Sequence, residues 1–258
     1  MTVLLDVRDH VARVTIDRPE RLNAVDRATE AHLQEVWTEL EGRSDVRCIV
    51  LTGAGDRAFS AGADMKDTGG KSGLDYWAEP RPGGFGGIAL RTSLDIPLIA
   101  RVNGFALGGG FEMVLGCDIV VAAEEAEFAL PEARVGRLPL DGGMVLLQRQ
   151  VPRKLAMGLM LTGRRVKAAE AFRWGLVNEV VPRAGLDAAV DRWVADVLAC
   201  APLSLRAIKQ VAQRTGHLTP AEAQAQRLPA LVAALVSEDS LEGVQAFVGK
   251  RPPVWRGR

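Results

Sequence analysis

Cysteine and histidine are scarce in this chain, and each scarcity removes a class of function. Cys48, Cys117 and Cys200 are the only thiols among 258 residues. They are odd in number, widely spaced and form no CxxC pair, so a disulfide framework is not expected, and reduced, buried thiols in the cytoplasm are. His10, His32 and His217 are isolated from one another and from the cysteines. Without a His/Cys cluster, no protein-built metal site is expected. Net charge is absent as well: 32 lysines and arginines balance 32 aspartates and glutamates, which argues against a nucleic-acid partner. No apolar run approaches the ~18 residues of a membrane span. The opening "MTVLLDVRDHVARVTIDRP" carries charges throughout, unlike a signal peptide. No G-x-S-x-G occurs, so a serine-hydrolase elbow is not expected.

What is present is an ordinary globular composition, 48% hydrophobic and 25% charged, sufficient for a sizeable core. Strands and helices alternate in the first half. "VARVTID", "CIVLTG", "LIARVNG" and "DIVVAA" read as strands. "DRATEAHLQEVWTEL" places Leu33, Val36, Trp37 and Leu40 on one helical face. Such alternation predicts βα units rather than an all-β sandwich. The second half reads as mostly helical: "KAAEAFRWG" stops at Gly175, and "LVNEVVP" returns as a strand. A helix then carries Leu186, Val190, Trp193, Val194 and Val197 on one face. Another follows Pro202, another opens at the capping box of Thr219, Pro220 and Glu222, and "LEGVQAFV" is last. The glycine- and proline-rich stretch from Asp67 to Ser93 reads as a mobile surface segment, with a short helix before Pro97.

Glycine carries the chemical signals. "LTGAGDRA" contains G-x-G-x-x-A after a strand, but no helix opens at its glycines and no acidic residue follows at the required place, so a turn is the better reading than a dinucleotide site. "GGKSG", Gly69 to Gly73, mimics the end of a phosphate loop, but Met65 stands where its first glycine should be. "SAGAD", Ser60 to Asp64, is either a tight turn or a stretch of exposed backbone N–H groups. In "FALGGGFE", three glycines open a helix whose free N–H groups suit a carbonyl gaining negative charge. Glu112 in its first turn is either a helix cap or a chemical group. Glu132 in "FALPEARVG" lies twenty positions on, in a turn set by Pro131 and Gly136, and "LPLDGG" follows. Two carboxylates around one glycine-lined pocket suit the addition of water to a double bond. One deprotonates water, the other protonates the neighbouring carbon, and burial together pushes their pKa values apart.

Taken together these segments resemble the crotonase, or enoyl-CoA hydratase, superfamily. "IARVNGFALGGGFE" is similar to the family's segment around its first catalytic glutamate, and "FALPEARVG" to that around its second. "FSAGADMK" is similar to its first oxyanion-hole segment, and "RPERLNAV" to the segment that meets the coenzyme A nucleotide. The likeness runs from Thr2 to Arg258. It implies an α/β fold, a spiral of ββα units over residues 1–195, with a C-terminal helical region over 196–258 that packs on the core and on neighbouring subunits in a trimer or hexamer. It implies an acyl-CoA substrate, no metal, and no cofactor other than the coenzyme A carried by that substrate. The N–H groups of Ala63 and Gly109 would form the oxyanion hole and Glu112 and Glu132 the acid/base pair. Ala24, Ala61, Asp64 and Met65 would line the coenzyme and thioester path. Phe247 and Lys250 would cover the nucleotide, on this subunit or a neighbouring one. On this reading residues 108–110 lack side chains because the thioester oxygen must touch the backbone.

Within the family, "RPGGFGGI", "FALPEARVG", "LTGRRVKAAEAFRWGLVNEVV" and the closing "SEDSLEGVQAFVGKRPPVWRGR" are similar to the carnitinyl-CoA dehydratase (crotonobetainyl-CoA hydratase) branch. One departure stands out. That branch has an aspartate directly after the proline of its "P-D-S-G-G" segment; here Pro139-Leu140-Asp141 moves it by one. Arg137 and Asp141 are therefore candidate specificity residues. The alternatives are an enoyl-CoA isomerase, a hydrolase using Asp141, or an acyl-CoA- or RNA-binding relative without catalysis.

Overall fold

A computed structural model describes residues 2–67, 72–81 and 83–258. Gly69, Gly70 and Lys71 of the "GGKSG" run and Pro82 of "RPGGFGGI" lie outside them. The chain opens with an antiparallel hairpin, β1 (Val3–Arg8) and β2 (Val11–Ile16). Asp9 and His10 turn it with both φ angles positive, the backbone of a two-residue type I′ turn. Ala12, Val14 and Ile16 alternate inwards, each fully buried. Helix α1 (Arg27–Glu41) begins where the Asp26 carboxylate accepts from the Thr29 N–H. It buries Leu33, Val36, Trp37 and Leu40, the face expected from the sequence.

The chain then winds through a repeated path: β3 (Cys48–Gly53) and β4 (Ala58–Ser60), α2 (Gly73–Ala78), β5 (Leu98–Val102), β6 (Phe105–Leu107) and α3 (Gly109–Leu115). It continues with β7 (Ile119–Ala123), β8 (Glu127–Ala129), α4 (Gly143–Gln150), α5 (Arg153–Thr162), β9 (Val166–Lys167), α6 (Ala168–Arg173) and β10 (Glu179–Val181). Odd members β3, β5 and β7 join β1, β2 and β10 in a six-stranded sheet ordered β1-β2-β3-β5-β7-β10. Even members β4, β6 and β8 join β9 in a second sheet ordered β4-β6-β8-β9. Each pass thus gives one strand to each sheet, the ββα spiral expected from the resemblance. The large sheet is covered on both faces, so its parallel strands read as continuous apolar runs. In β3, Ile49 and Leu51 face the core that includes Trp37, whereas Cys48 and Val50 face α7 (Leu186–Leu198).

The chain closes with α8 (Pro202–Thr215), α9 (Pro220–Ala225), α10 (Pro229–Leu235) and α11 (Glu238–Val248). Lys209 of α8 is buried and ties this region to the spiral, donating to the Ile96 carbonyl at 2.8 Å and pairing with Asp118 at 2.7 Å. The tail folds back: the Trp255 indole donates to the Ala199 carbonyl and Arg47 to the Trp255 carbonyl.

Two expectations are corrected. The Asp67–Ser93 stretch is not a surface segment throughout. Phe85, Gly86, Gly87, Ile88 and Ala89 are buried, and the Trp37 indole donates to the Gly86 carbonyl at 2.7 Å. Glycine suits this run because Gly86 and Gly87 take φ +59° and +69°, the left-handed region that side-chain-bearing residues rarely adopt. Nor are all three thiols buried: Cys48 is, but Cys117 is half-buried and Cys200 exposed. The short helix before Pro97 is α2, set back at Gly73–Ala78, and residues 88–96 run as turns and bends, with Leu94 and Ile96 anchored in the core.

Candidate active site

The three glycines of the α3 N-terminus have three separate physical reasons. Gly108 has φ +55°, and a Cβ there would lie 3.0 Å from a Glu132 carboxylate oxygen. At Gly109 a Cβ would lie 2.6 Å from the Phe85 ring; at Gly110 it would lie 2.2 Å from the Ser60 carbonyl. The single explanation offered from sequence, bare backbone for a ligand oxygen, is therefore incomplete. Close packing on β4 and on Phe85 removes two of the three side chains.

That packing also brings the two candidate oxyanion segments together. Gly62, at φ +87°, lies so near that its Cβ would be 2.9 Å from the Gly109 nitrogen. The Val25 N–H donates to Gly62 O and the Asp64 N–H to Val25 O, so the bridge passes over Ala63. Among the described residues neither the Ala63 nor the Gly109 N–H donates a hydrogen bond. Both residues line one cavity of about 760 Å³. Unpaired main-chain donors beside a cavity are competent to stabilise an oxyanion.

The same cavity is lined by Glu112, Glu132 and Asp141. Glu112 points inwards from the first turn of α3, with one oxygen accepting from the Asp141 N–H at 3.0 Å and the Gly143 N–H at 2.8 Å. Burial pushes its pKa up to about 8 against those two donors, and the Asp141 and Glu132 charges push the same way. Glu132 starts the 3-10 turn Glu132–Val135, closed by Gly136 at φ +69° and by the Arg137 N–H donating to Glu132 O. Burial raises its pKa as well, and its Oε2 is buried without a partner. An unpaired buried carboxylate oxygen is costly, and a water or ligand group in the cavity would satisfy it. Asp141 is buried and its pKa is raised by that burial, partly offset by a hydrogen bond from the Tyr76 hydroxyl and by Arg81.

The remaining residues singled out from sequence divide. Ala61 and Met65 line the cavity, Met65 exposed at the rim, as does exposed Arg137. Asp64 does not line it; it lies on an adjoining cavity of about 540 Å³ and pairs with Arg18 at 3.2 Å. Ala24 is buried, its carbonyl accepting from Arg18. Arg18 also pairs with Asp26 at 2.9 Å, so this group braces the loop before α1. Phe247 is 85% exposed and neither it nor Lys250 lines either cavity. Sequence reading missed Tyr76 and Phe85, which line both cavities. Tyr76 is the chain's single tyrosine and follows the Ser72/Asp75 capping box. Those two signals could have marked it.

Residues 6–258 match the family model described as enoyl-CoA hydratase/isomerase. This chain belongs to that family. The match spans both glutamates and both oxyanion segments, so the resemblance drawn from the motifs is borne out. Carnitinyl-CoA dehydratase from Citrobacter koseri is 38% identical over 96% of this chain and 95% of its own. The protein of that name from Salmonella typhi is 39% identical over the same shares. Among solved structures, enoyl-CoA hydratase from Bacillus anthracis superposes with a TM-score of 0.92 at 31% identity, covering 100% of both chains. That from Mycobacterium tuberculosis H37Rv has a TM-score of 0.88 at 32% identity, covering 100% of this chain and 99% of its own. Among the described residues no helix is long and apolar enough to cross a membrane, and no group of three or more His, Cys, Asp and Glu is placed to hold a metal.

Proposed function

We propose that this family member is an acyl-CoA hydratase/dehydratase, adding or removing water across the 2,3 double bond of an enoyl thioester. The observation that carries this is the convergence of Glu112, Glu132 and the free Ala63 and Gly109 N–H groups on one cavity. The thioester oxygen would accept from the two N–H groups. One carboxylate takes a proton from water while the water oxygen bonds to Cβ. The π electrons move onto the thioester oxygen as an enolate. The enolate then takes a proton at Cα from the other, protonated, glutamate. The sum is one water added, and the reverse order removes it. Burial that holds Glu112 partly protonated near neutrality suits a pair sharing one proton. This chemistry is complete with protein groups, coenzyme A arriving as part of the substrate.

The named relatives suggest carnitinyl-CoA/crotonobetainyl-CoA as the substrate pair. Asp141, although shifted by one position, lines the cavity together with the Tyr76 ring, and a carboxylate beside an aromatic face suits a trimethylammonium group. The test is turnover of crotonyl-CoA and crotonobetainyl-CoA with product analysis. Water addition to either supports the reading. Double-bond migration alone, or release of free acid, would replace it with the isomerase or hydrolase alternative.

The C-terminal region over 196–258 is proposed to mediate assembly into trimers or hexamers. Leu235, Val236, Leu241, Val244, Phe247 and Val248 form an exposed apolar run on α10 and α11, the kind of surface that marks an interface. Phe247 and Lys250 would then reach a neighbouring subunit's nucleotide.

A further inference from the structure

The two cavities are neighbours, and the side chains shared by their linings show what stands between them. Ala63, Met65, Tyr76, Phe85 and Arg137 line both. Ala63 is small, while Met65 and Arg137 are exposed at the rim. That leaves the rings of Tyr76 and Phe85 as the inner partition. Phe85 is fixed, 4% exposed and lying against Gly109. Tyr76 is held from two sides. Its hydroxyl donates to the Asp141 carboxylate on the larger cavity. On the other side the Arg81 guanidinium stacks 3.6 Å from its ring centroid, and one Arg81 nitrogen donates to both Glu30 oxygens at 3.0 and 3.1 Å. Glu30, Ala31 and Gln34 of α1 form the far wall of the smaller cavity. The space behind Tyr76 is therefore already open, and the Tyr76 and Phe85 rings together close it off from Glu112 and Glu132.

Resting on the hydratase reading, we infer that Tyr76 is a specificity-determining residue that limits the acyl group to short chains by separating the acid/base cavity from the one between α1 and α2. A chain bound with its thioester at Ala63 and Gly109 ends against the phenol. The Asp141 and Arg81–Glu30 contacts hold that ring in place, so a longer alkyl chain cannot displace it without breaking a partly buried hydrogen bond and a cation–π contact.

The test uses the full-length wild-type protein, Tyr76→Ala, Tyr76→Leu and Tyr76→Phe, with enoyl-CoA esters of four, six and ten carbons. Tyr76→Ala is expected to raise the ten-to-four-carbon ratio of kcat/KM at least about tenfold, mainly through a lower KM for the long ester, since a few methylenes in an apolar pocket carry that much discrimination. Tyr76→Leu should lie between, and it decides the matter should the alanine variant fail to fold. Tyr76→Phe keeps the ring and its Arg81 contact but loses the bond to Asp141, so its ratio should lie between those of wild type and Tyr76→Leu. A wild type that hydrates the four-carbon ester, with Ala and Leu variants sharing its chain-length ratio, would overturn the inference and leave the hydratase reading intact. A wild type that hydrates none of the esters and yields only isomerised ester or free acid would instead overturn that reading.

Discussion

At the scale of single residues, the glycines and glutamates make separable predictions. Glu112→Gln keeps an oxygen for the Asp141 and Gly143 N–H groups and removes the titration. Turnover should fall at least about 10²-fold, measured with any accepted enoyl-CoA. Its stability carries a sign that can be worked out. The wild-type carboxyl moves from 4.5 to about 8 on folding, so between those values the folded state binds more protons than the unfolded one. Wild-type stability attributable to this group is present below pH 4.5 and is lost as pH rises towards 8. The glutamine variant should melt close to wild type at pH 5 and above it at pH 8, by an amount on the order of a few kcal/mol. Equal melting differences at both pH values would contradict the buried carboxyl. The glycines divide by cause. Gly110→Ala pushes a methyl into the Ser60 carbonyl and should cost roughly 1–3 kcal/mol in denaturant unfolding. Gly108→Ala meets a positive φ and the tip of Glu132, so turnover should suffer more than stability. The run of glycines was legible as a candidate site. Its partner contacts were not, because Ser60 and Phe85 are far away in sequence.

Elements with a strong period were legible: α1, α7 and the apolar strands follow from spacing alone, and Thr219 begins α9 through the expected capping box. Two kinds of element were not. Helices α4 and α5 lie in a stretch where glycine and proline interrupt the pattern, at Gly142, Pro152 and Gly163. The helix opening at Thr219 also ends sooner than its composition implies, because Pro229 starts α10 afresh. The Phe85–Ala89 run misleads more deeply. Glycine and proline there suggest a loop on the surface, yet Gly86 and Gly87 are buried with positive φ, packed against the Met113 and Gln34 side chains. Its burial is open to test. Phe85→Ala should cost roughly 3–5 kcal/mol by denaturant unfolding, the range for a core aromatic. Leu74→Ala, on the exposed face of α2, should stay within about 0.5 kcal/mol. A surface segment would give two small and similar values.

For the whole molecule, large apolar side chains are exposed at several places on the described surface, and those from Leu235 to Val248 follow one another along α10 and α11. Nothing in residues 196–258 beyond helical periodicity distinguishes a helix that packs at home from one that packs on a neighbour, so an assembly role for this region is an expectation drawn from resemblance alone. An interface and a nucleotide cover make different demands on the same helix, and that difference is measurable. Val244→Asp would bury a charge at a subunit contact, which is strongly unfavourable when unpaired, so sedimentation velocity should show the assembly dissociating towards monomer. Should Phe247 and Lys250 complete a neighbour's nucleotide site, the dissociated protein will also show a raised KM for the coenzyme A ester. Phe247→Ala shortens the side chain without adding charge. It should raise KM while leaving kcat nearly unchanged, since contacts made equally in ground and transition states act on KM alone. Unchanged KM in both variants, with Val244→Asp still assembled, would remove α11 from both roles and place the interface on another face of the spiral.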